Sequence, residues 1–235
     1  MNLNDIKVII LCGGLGTRIK PVLSELPKCL APIHNKPFIE YLLNQVKDNG
    51  LSQVILSTGY MGDAVRSHFD SSFDGMGIMY SHEDTPLGTG GAVRQAMTKF
   101  DSKYYLIMNG DSFVDFSMKE FCLSFDPSQM QARMALVWVE NGSRYGSVTL
   151  GDDRKVSGFH EKSDQIKPSW INGGIYLMGR SVLNTMPDKK SFSLEKDVFQ
   201  CGRLNALYGI GYRSRFIDIG TPESLIEAET FFSNK

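Results

Sequence analysis

Little in this chain is specialised for an oxidising compartment, a membrane or a polyanion. Only four of its 235 residues are cysteine (Cys12, Cys29, Cys122 and Cys201), and none stand in a C-x-x-C pair. A disulfide framework and a zinc site are therefore not expected; reduced, mostly buried thiols in a cytoplasmic protein are. No apolar run is long enough to cross a bilayer, and the longest early one, Val8-Ile9-Ile10-Leu11-Cys12, stops at glycines. The opening Met1-Asn2-Leu3-Asn4-Asp5 has neither the basic nor the apolar region of a signal peptide, so none is expected. Charge is balanced, with 25 Lys and Arg against 26 Asp and Glu. That excludes a broadly basic surface for nucleic acid but leaves room for a local basic pocket. With 42% hydrophobic and 11% aromatic residues, the chain is globular rather than disordered. It has no internal repeat, low-complexity tract or proline-rich linker, and one domain over 1–235 is expected.

Strand and helix signals alternate through the first half. Lys7-Val8-Ile9-Ile10-Leu11-Cys12, Gln53-Val54-Ile55-Leu56-Ser57-Thr58 and Tyr104-Tyr105-Leu106-Ile107-Met108 are short apolar runs, the pattern of strands buried on both faces. Between the first two, Phe38, Tyr41, Leu42 and Val46 recur at helical spacing, with Pro37 at the entry and Gly50 at the exit. Further helices are predicted at 63–69, 90–99, 118–124 and 222–232. Such alternation builds right-handed βαβ units. The fold class expected is α/β: an open, largely parallel, Rossmann-like mixed sheet flanked by helices. From 133 to 176, strand-like runs are separated by Gly-Ser, Gly-Asp-Asp and Lys-Pro turns, and a more antiparallel extension is expected there.

Gly13-Gly14-Leu15-Gly16-Thr17-Arg18 follows the first strand directly. Glycines there let backbone N–H groups approach an anion with no Cβ in the way, although a tight βα turn would use them too. The run is neither G-x-G-x-x-G nor G-x-x-x-x-G-K-[ST], so the dinucleotide fingerprint and the P-loop both fail. Ten residues beyond Arg18 comes Lys28, bracketed by Pro27 and Pro32. The prolines are expected to stiffen an extended segment and hold the lysine in place. An arginine and a lysine beside a glycine turn, at the carboxyl end of a buried strand, make a polyphosphate cradle. Ligands of open α/β sheets bind at that edge.

These motifs resemble the signature of the sugar-1-phosphate nucleotidyltransferases, and the resemblance continues in order along nearly the whole chain. Leu87-Gly88-Thr89-Gly90-Gly91-Ala92 is similar to the family's second glycine loop, and Asn109-Gly110-Asp111 to its metal aspartate at a strand end. Glu161-Lys162 and Asn172-Gly173-Gly174 resemble its sugar-binding motifs, and Asp218-Ile219-Gly220-Thr221-Pro222-Glu223 its second metal aspartate. The resemblance implies transfer of a nucleoside monophosphate from a nucleoside triphosphate to a sugar 1-phosphate, with release of pyrophosphate. It implies catalytic roles for Arg18 and Lys28, and Mg²⁺ held by Asp111 and Asp218. Leu11, Gly13, Gly14, Gly16, Thr17, Glu83, Gly88 and Thr89 would bind the nucleotide, and Gly146, Glu161, Lys162 and Asn172 the sugar. Residues 1–120 would then be mainly the nucleotide half and 121–235 mainly the sugar half.

Two runs, Lys36-Pro37-Phe38-Ile39-Glu40-Tyr41-Leu42-Leu43 and Glu83-Asp84-Thr85-Pro86-Leu87-Gly88-Thr89-Gly90-Gly91, look most like bacterial guanylyltransferases that act on D-glycero-D-manno-heptose 1-phosphate. That implies GTP as donor. Mannose-1-phosphate guanylyltransferases and the thymidylyl-, uridylyl- and cytidylyl-transferases of the family stand as alternatives, as does a regulatory homologue that binds nucleotide without turnover. A hexapeptide-repeat extension is absent. Nucleic acid and membrane are not expected partners, and self-association is left open.

The chemistry asks for charge rather than for a nucleophilic side chain. Both reactants are anions, so alignment and neutralisation do most of the work. Arg18 offers a planar fork to the departing phosphates, and Lys28 a compact charge. Paired aspartates are hard oxygen ligands for Mg²⁺, although an aspartate after a strand also caps turns. None of His34, His68, His82 and His160 stands in a triad-like or metal-ligand pattern. Glu83 is the expected base reader. A carboxylate only accepts, and guanine offers N1–H and its 2-amino group side by side, whereas uracil and thymine offer one N–H between two carbonyls. Ser193-Leu194-Glu195-Lys196-Asp197 reads as a capped helix start.

Overall fold

The computed structural model describes residues 1–14, 16, 18–23, 26–160 and 167–233, with the backbone alone at 20 and 21. Thr17, Glu161 and Lys162 lie outside the described residues. In chain order the strands are β1 (Ile6–Leu11), β2 (Pro32–Ile33), β3 (Lys36–Pro37), β4 (Gln53–Thr58), β5 (Ser72–Phe73), β6 (Met76–His82) and β7 (Tyr104–Asn109). They continue with β8 (Ser112–Val114), β9 (Ala132–Val139), β10 (Ser147–Leu150), β11 (Val156–His160), β12 (Ser169–Gly179), β13 (Leu207–Tyr212) and β14 (Phe216–Asp218). The α-helices are α1 (Lys20–Leu23), α2 (Phe38–Asp48), α3 (Gly62–Phe69), α4 (Gly88–Lys99), α5 (Met118–Leu123) and α6 (Pro222–Phe232). Among the described residues, no helix is long and apolar enough to cross a membrane.

The apolar runs of the first half become the parallel centre of a mixed sheet. Ten strands join in it, in the order β11-β10-β12-β7-β1-β4-β6-β5, with β9 pairing β12 and β13. Strands β7, β1, β4 and β6 are parallel neighbours. Strand β12 is antiparallel to β7, β9 and β10, while β13 pairs parallel with β9. The alternation of side chains along β1 explains its unbroken hydrophobicity: Val8 and Ile10 enter one apolar layer, Ile9 the other. On the first side lie residues of α2, α3, α5 and α6. On the second lie Val93, Ala96 and Met97 of α4, with Phe192, Leu194, Val198 and Phe199.

Helix α6 begins where its sequence signals place it. Pro222 takes the first position, and Thr221 and Ser224 cap one another reciprocally, with the Ser224 N–H donating to Thr221 Oγ1 at 3.3 Å and the Thr221 N–H to Ser224 Oγ at 3.0 Å. Its aromatic end is buried within the chain. Phe232 stacks on Tyr41 with ring centroids 3.9 Å apart and meets Phe38 and Phe113 edge-on. Phe232 is 3% exposed and Ile226, on the solvent-facing side of the helix, 73%. Phe232→Ala is expected to cost about 3–5 kcal/mol of unfolding free energy, and Ile226→Ala less than about 0.5 kcal/mol. Urea denaturation of the two variants measures the contrast.

Candidate active site

Parallel pairing brings the carboxyl ends of β1, β4 and β7 to one edge. Leu11 lies opposite Ser57 on one side and Asn109 on the other. The Gly110 N–H then donates to the Leu11 carbonyl at 3.1 Å, tying the turn after β7 to the start of the glycine loop. Two adjoining cavities of about 190 Å³ each open at this edge. One is bordered by Leu11, Cys12, Gly14, Lys28, Cys29, Thr89, Asn109, Gly110 and Asp111. The other is bordered by Leu11, Gly13, Gly14, Glu83, Pro86, Gly88, Thr89 and Ala92. Gly16, in the left-handed region at φ +57°, continues the loop toward Arg18.

Lys28 does not lie on an extended segment as its flanking prolines imply. Pro27 is extended, but the Leu30 and Ala31 N–H groups fold back to the Pro27 and Lys28 carbonyls at 2.8 and 3.0 Å, closing a 3₁₀ turn over Lys28–Leu30. That turn, not chain stiffness, aims the lysine. Its Nζ reaches Asp111 Oδ2 at 2.5 Å, and its side chain is only 15% exposed. The other Asp111 oxygen accepts from Ser112 Oγ at 3.0 Å.

The second aspartate arrives through a two-stranded ribbon. Strand β14 pairs antiparallel with β8, so Asp218 stands opposite Ser112, and the Ile219 N–H donates to the Asp111 carbonyl at 2.9 Å. Asp218 Oδ1 accepts from the Gly220 N–H at 2.8 Å and lies 4.0 Å from Arg144 Nη2. Burial, and then the Asp218 carboxylate beside it, push the Tyr145 phenol well up, so it stays a neutral donor. Arg18 is exposed, and its guanidinium lies over the same turn: a Cβ on Gly220 would sit 3.5 Å from Arg18 Nη2. Sequence-distant Arg18, Lys28, Asp111 and Asp218 thus share one rim.

Glu83 faces the second cavity. Its Oε2 accepts from the Leu87 N–H at 3.0 Å, and burial raises its carboxyl above the ordinary glutamate range against the opposing effect of that N–H. Its other oxygen leans over Gly13, where a Cβ would lie 2.7 Å from Oε1 and 3.3 Å from the Gly59 nitrogen. Helix α4 starts two residues before the predicted 90, at Gly88. Gly88 has φ +69°, and a Cβ there would lie 2.6 Å from the Phe192 carbonyl oxygen, which itself accepts from the Gly90 and Gly91 N–H groups. Thr89 borders both cavities, but its hydroxyl donates to Glu195 Oε2 at 2.7 Å and accepts from the Leu194 N–H at 2.9 Å. Its proton is therefore not available to a ligand.

On the second half, the register of β12 shifts between Asn172 and Tyr176. Gly173 and Gly174 form the irregularity, with Gly174 at φ +73°, and a bulge of this kind re-aims the side chains beside it. Asn172 Nδ2 donates to the Tyr176 hydroxyl at 2.6 Å, and Asn172 Oδ1 accepts from the Gly174 N–H at 2.9 Å. Ser147 pairs with Ile171 and with His160, which sets Gly146 one step from Asn172 across the sheet.

Several residues at this edge are given no role of their own by the motifs. Asn109 lines the Lys28 cavity, and its Oδ1 is buried with no partner among the described residues. Arg144 stands two residues before Gly146. Tyr176 is fully buried. Glu195 begins a π-helical turn, Glu195–Gln200, whose entry Ser193 caps by accepting from the Lys196 N–H at 3.1 Å. The capped helix start was the available signal for Glu195, but helix capping alone gives no reason to look at its carboxylate. Cys12 and Cys29 also line the cavity. Their mutual hydrogen bond, and then burial, hold the Cys12 thiol well above the ordinary range, so it is not a nucleophile.

A glycine loop, basic side chains and two carboxylates at the carboxyl edge of a parallel sheet define an α/β protein for phosphate-bearing ligands. Residues 7–235 match the family described as Nucleotidyl transferase, and the chain belongs to that family. D-glycero-alpha-D-manno-heptose 1-phosphate guanylyltransferase of Campylobacter jejuni is 36% identical over 217 residues, covering 92% of this chain and 96% of that protein. The enzyme of the same name from Aneurinibacillus thermoaerophilus is 35% identical over 228 residues, covering 95% and 96%. Among solved structures, HddC from Yersinia pseudotuberculosis complexed with GMP-PN aligns with a TM-score of 0.84 and 30% identity, covering 97% of this chain and 99% of that one.

The close approach at Gly13 generates a test. In Gly13→Ala, the new Cβ must displace the Glu83 carboxylate, and nucleoside triphosphate affinity is expected to fall about ten-fold or more as that placement is lost. Gly77→Ala, where no atom lies within 4 Å, should bind like the parent. Titration calorimetry measures both, with circular dichroism reporting an unchanged fold.

Proposed function

We propose that this protein transfers GMP from GTP to D-glycero-α-D-manno-heptose 1-phosphate, releasing pyrophosphate. A sugar-phosphate oxygen attacks the α-phosphorus; the new O–P bond forms as the bond to the β-phosphate oxygen breaks, and pyrophosphate carries away the electron pair. The observation that carries this reading is the convergence of Lys28, Asp111, Asp218 and Arg18 beside the glycine-loop cavity. Lys28 neutralises the phosphates that must meet, and Arg18 forks onto the charge that grows on the leaving pyrophosphate. Leu11, Gly13, Gly14, Gly16 and Thr17 wrap the nucleotide phosphates and ribose, while Gly88 and Thr89 lie under the base. Gly146, Asn172, Glu161 and Lys162 receive the sugar phosphate. In this reading the nucleotide half is 1–120 and the sugar half 121–235.

Asp111 and Asp218 suit Mg²⁺ by donor chemistry: two hard carboxylates, one just before β8 and one at the end of its partner β14, with ligand phosphates to complete the shell. No group of three or more His, Cys, Asp and Glu side chains gathers among the described residues, so such an ion depends on its nucleotide. When bound, Mg²⁺ shields the charge between the two anions. A cytoplasmic location accords with free thiols at all four cysteines.

Guanine specificity is assigned to Glu83. Its Oε2 already holds the Leu87 N–H, so Oε1 and the remaining lone pairs accept from guanine N1–H and the 2-amino group. A matrix of nucleoside triphosphates against sugar 1-phosphates, read as pyrophosphate release, tests the function. GTP with the heptose 1-phosphate should give the highest kcat/KM; preference for a pyrimidine triphosphate would contradict it. Glu83→Gln should lower the GTP-to-UTP ratio about ten- to a hundred-fold, the cost of an unmatched donor. Because burial raises the Glu83 carboxyl, the parent's ratio should fall as pH drops, at a pH above that expected for an ordinary glutamate. The Glu83→Gln ratio should stay flat.

A further inference from the structure

One polar network crosses the sheet edge from the nucleotide side to the sugar side, and Glu195 is its hub. Glu195 Oε2 accepts from Thr89 Oγ1 at 2.7 Å and from Ser193 Oγ at 2.8 Å. Glu195 Oε1 accepts from the Tyr176 hydroxyl at 3.1 Å. The tyrosine oxygen in turn accepts from Asn172 Nδ2 at 2.6 Å. A carboxylate has no proton to give, so every hydrogen-bond direction in the chain is determined from that end. Tyr176 must donate to Glu195, and its oxygen is then left to accept. Asn172 must therefore turn its NH₂ toward Tyr176 and its oxygen toward the Gly174 N–H, 2.9 Å away. Among the described residues, one amide N–H of Asn172 remains uncommitted. Burial, and then the Glu195 carboxylate, push the Tyr176 phenol well up, so its hydroxyl stays a donor.

The placement is costly unless it is used. Tyr176 is 0% exposed, and a buried polar chain with all partners matched is rigid, whereas one with a partner missing is destabilised. Its two ends are residues that border candidate substrate subsites on different halves of the protein: Thr89, at both nucleotide-side cavities, and Asn172, beside Gly146.

We propose that Glu195 is a positioning residue that presents Asn172 to the sugar 1-phosphate as a hydrogen-bond donor while fixing Thr89 under the nucleotide, so that the two substrates bind with positive synergy. This rests on the reading of Asn172 as a sugar contact and of Thr89 as a nucleotide contact. The means of coupling is mechanical: the Glu195 carboxylate cannot move for one end without moving for the other.

The test uses four variants of the full chain, with KM measured separately for GTP and for D-glycero-α-D-manno-heptose 1-phosphate. The Kd of a non-transferable GTP analogue is also measured with and without the saturating heptose phosphate. Asn172→Ala and Tyr176→Phe should each raise the sugar KM about ten-fold and leave the GTP KM within about two-fold, as loss of one oriented hydrogen bond requires. Thr89→Val should do the reverse. Glu195→Gln should raise both KM values and abolish the strengthening of analogue binding by the sugar phosphate that the parent shows. Tyr176→Phe retains the buried ring and so guards against a folding artefact, which thermal unfolding monitors. An unchanged sugar KM in Asn172→Ala would overturn the sugar-contact reading and the proposal with it. A raised sugar KM in Asn172→Ala with none in Tyr176→Phe would overturn the positioning role of the network and leave the sugar site standing. Equal binding of the analogue with and without sugar phosphate in the parent would overturn the synergy.

Discussion

The site depends on bringing two aspartates that lie 107 residues apart in the sequence to one sheet edge. Like charges repel, and a sheet edge by itself offers no reason for them to meet. Here the backbone forces the meeting, because the short β8–β14 ribbon sets Asp218 opposite Ser112 and bonds Ile219 to the carbonyl of Asp111. Lys28 supplies the compensating charge at 2.5 Å from one of the two. The lysine's 3₁₀ turn, the glycine loop beside it and the helix that follows Asp218 all serve to hold that trio. Helix α6 anchors the ribbon through the Phe232 cluster, so a structural contact far from the chemistry sets the position of a charged group in it.

The two halves of the sheet offer different kinds of edge. Parallel strands end in loops that can surround phosphates with backbone N–H groups, which is where such sheets bind ligands. The antiparallel half offers long strands whose bulges can aim individual side chains, as Gly173-Gly174 does for Asn172. Strand β12 belongs to both halves, pairing with β7 of the parallel centre and with β9 of the extension. The segment from Phe192 to Glu195 closes over the start of α4 and ties the halves together through the Phe192 carbonyl and the Glu195 carboxylate.

Much of this was legible in the residues. The buried strands are readable because both faces of a parallel strand are apolar, and α6 because proline and a capping pair mark its start. The motif order identifies Arg18, Lys28, Asp111, Asp218, Glu83 and Asn172, and the fold brings the first four to one rim. Other features depend on contacts between distant segments, which local patterns do not encode. Prolines around Lys28 read as an extended brace, yet backbone hydrogen bonds wind it into a turn. Thr89 reads as a nucleotide contact in the second glycine loop, but Glu195, 106 residues away, takes its proton. Tyr176 looks like one more apolar strand position, and only the bulge puts its hydroxyl within reach of Asn172.

The most direct measurement is Mn²⁺ binding to the protein saturated with a non-transferable GTP analogue, followed by electron paramagnetic resonance. If Asp111 and Asp218 share one ion and Lys28 competes with it for Asp111, Asp111→Asn and Asp218→Asn should each weaken binding by about ten-fold or more, as loss of a metal-site group does. Lys28→Met should strengthen it, since the carboxylate is then free. Unchanged binding in Asp218→Asn, or weaker binding in Lys28→Met, would contradict the arrangement of charges on which the account rests.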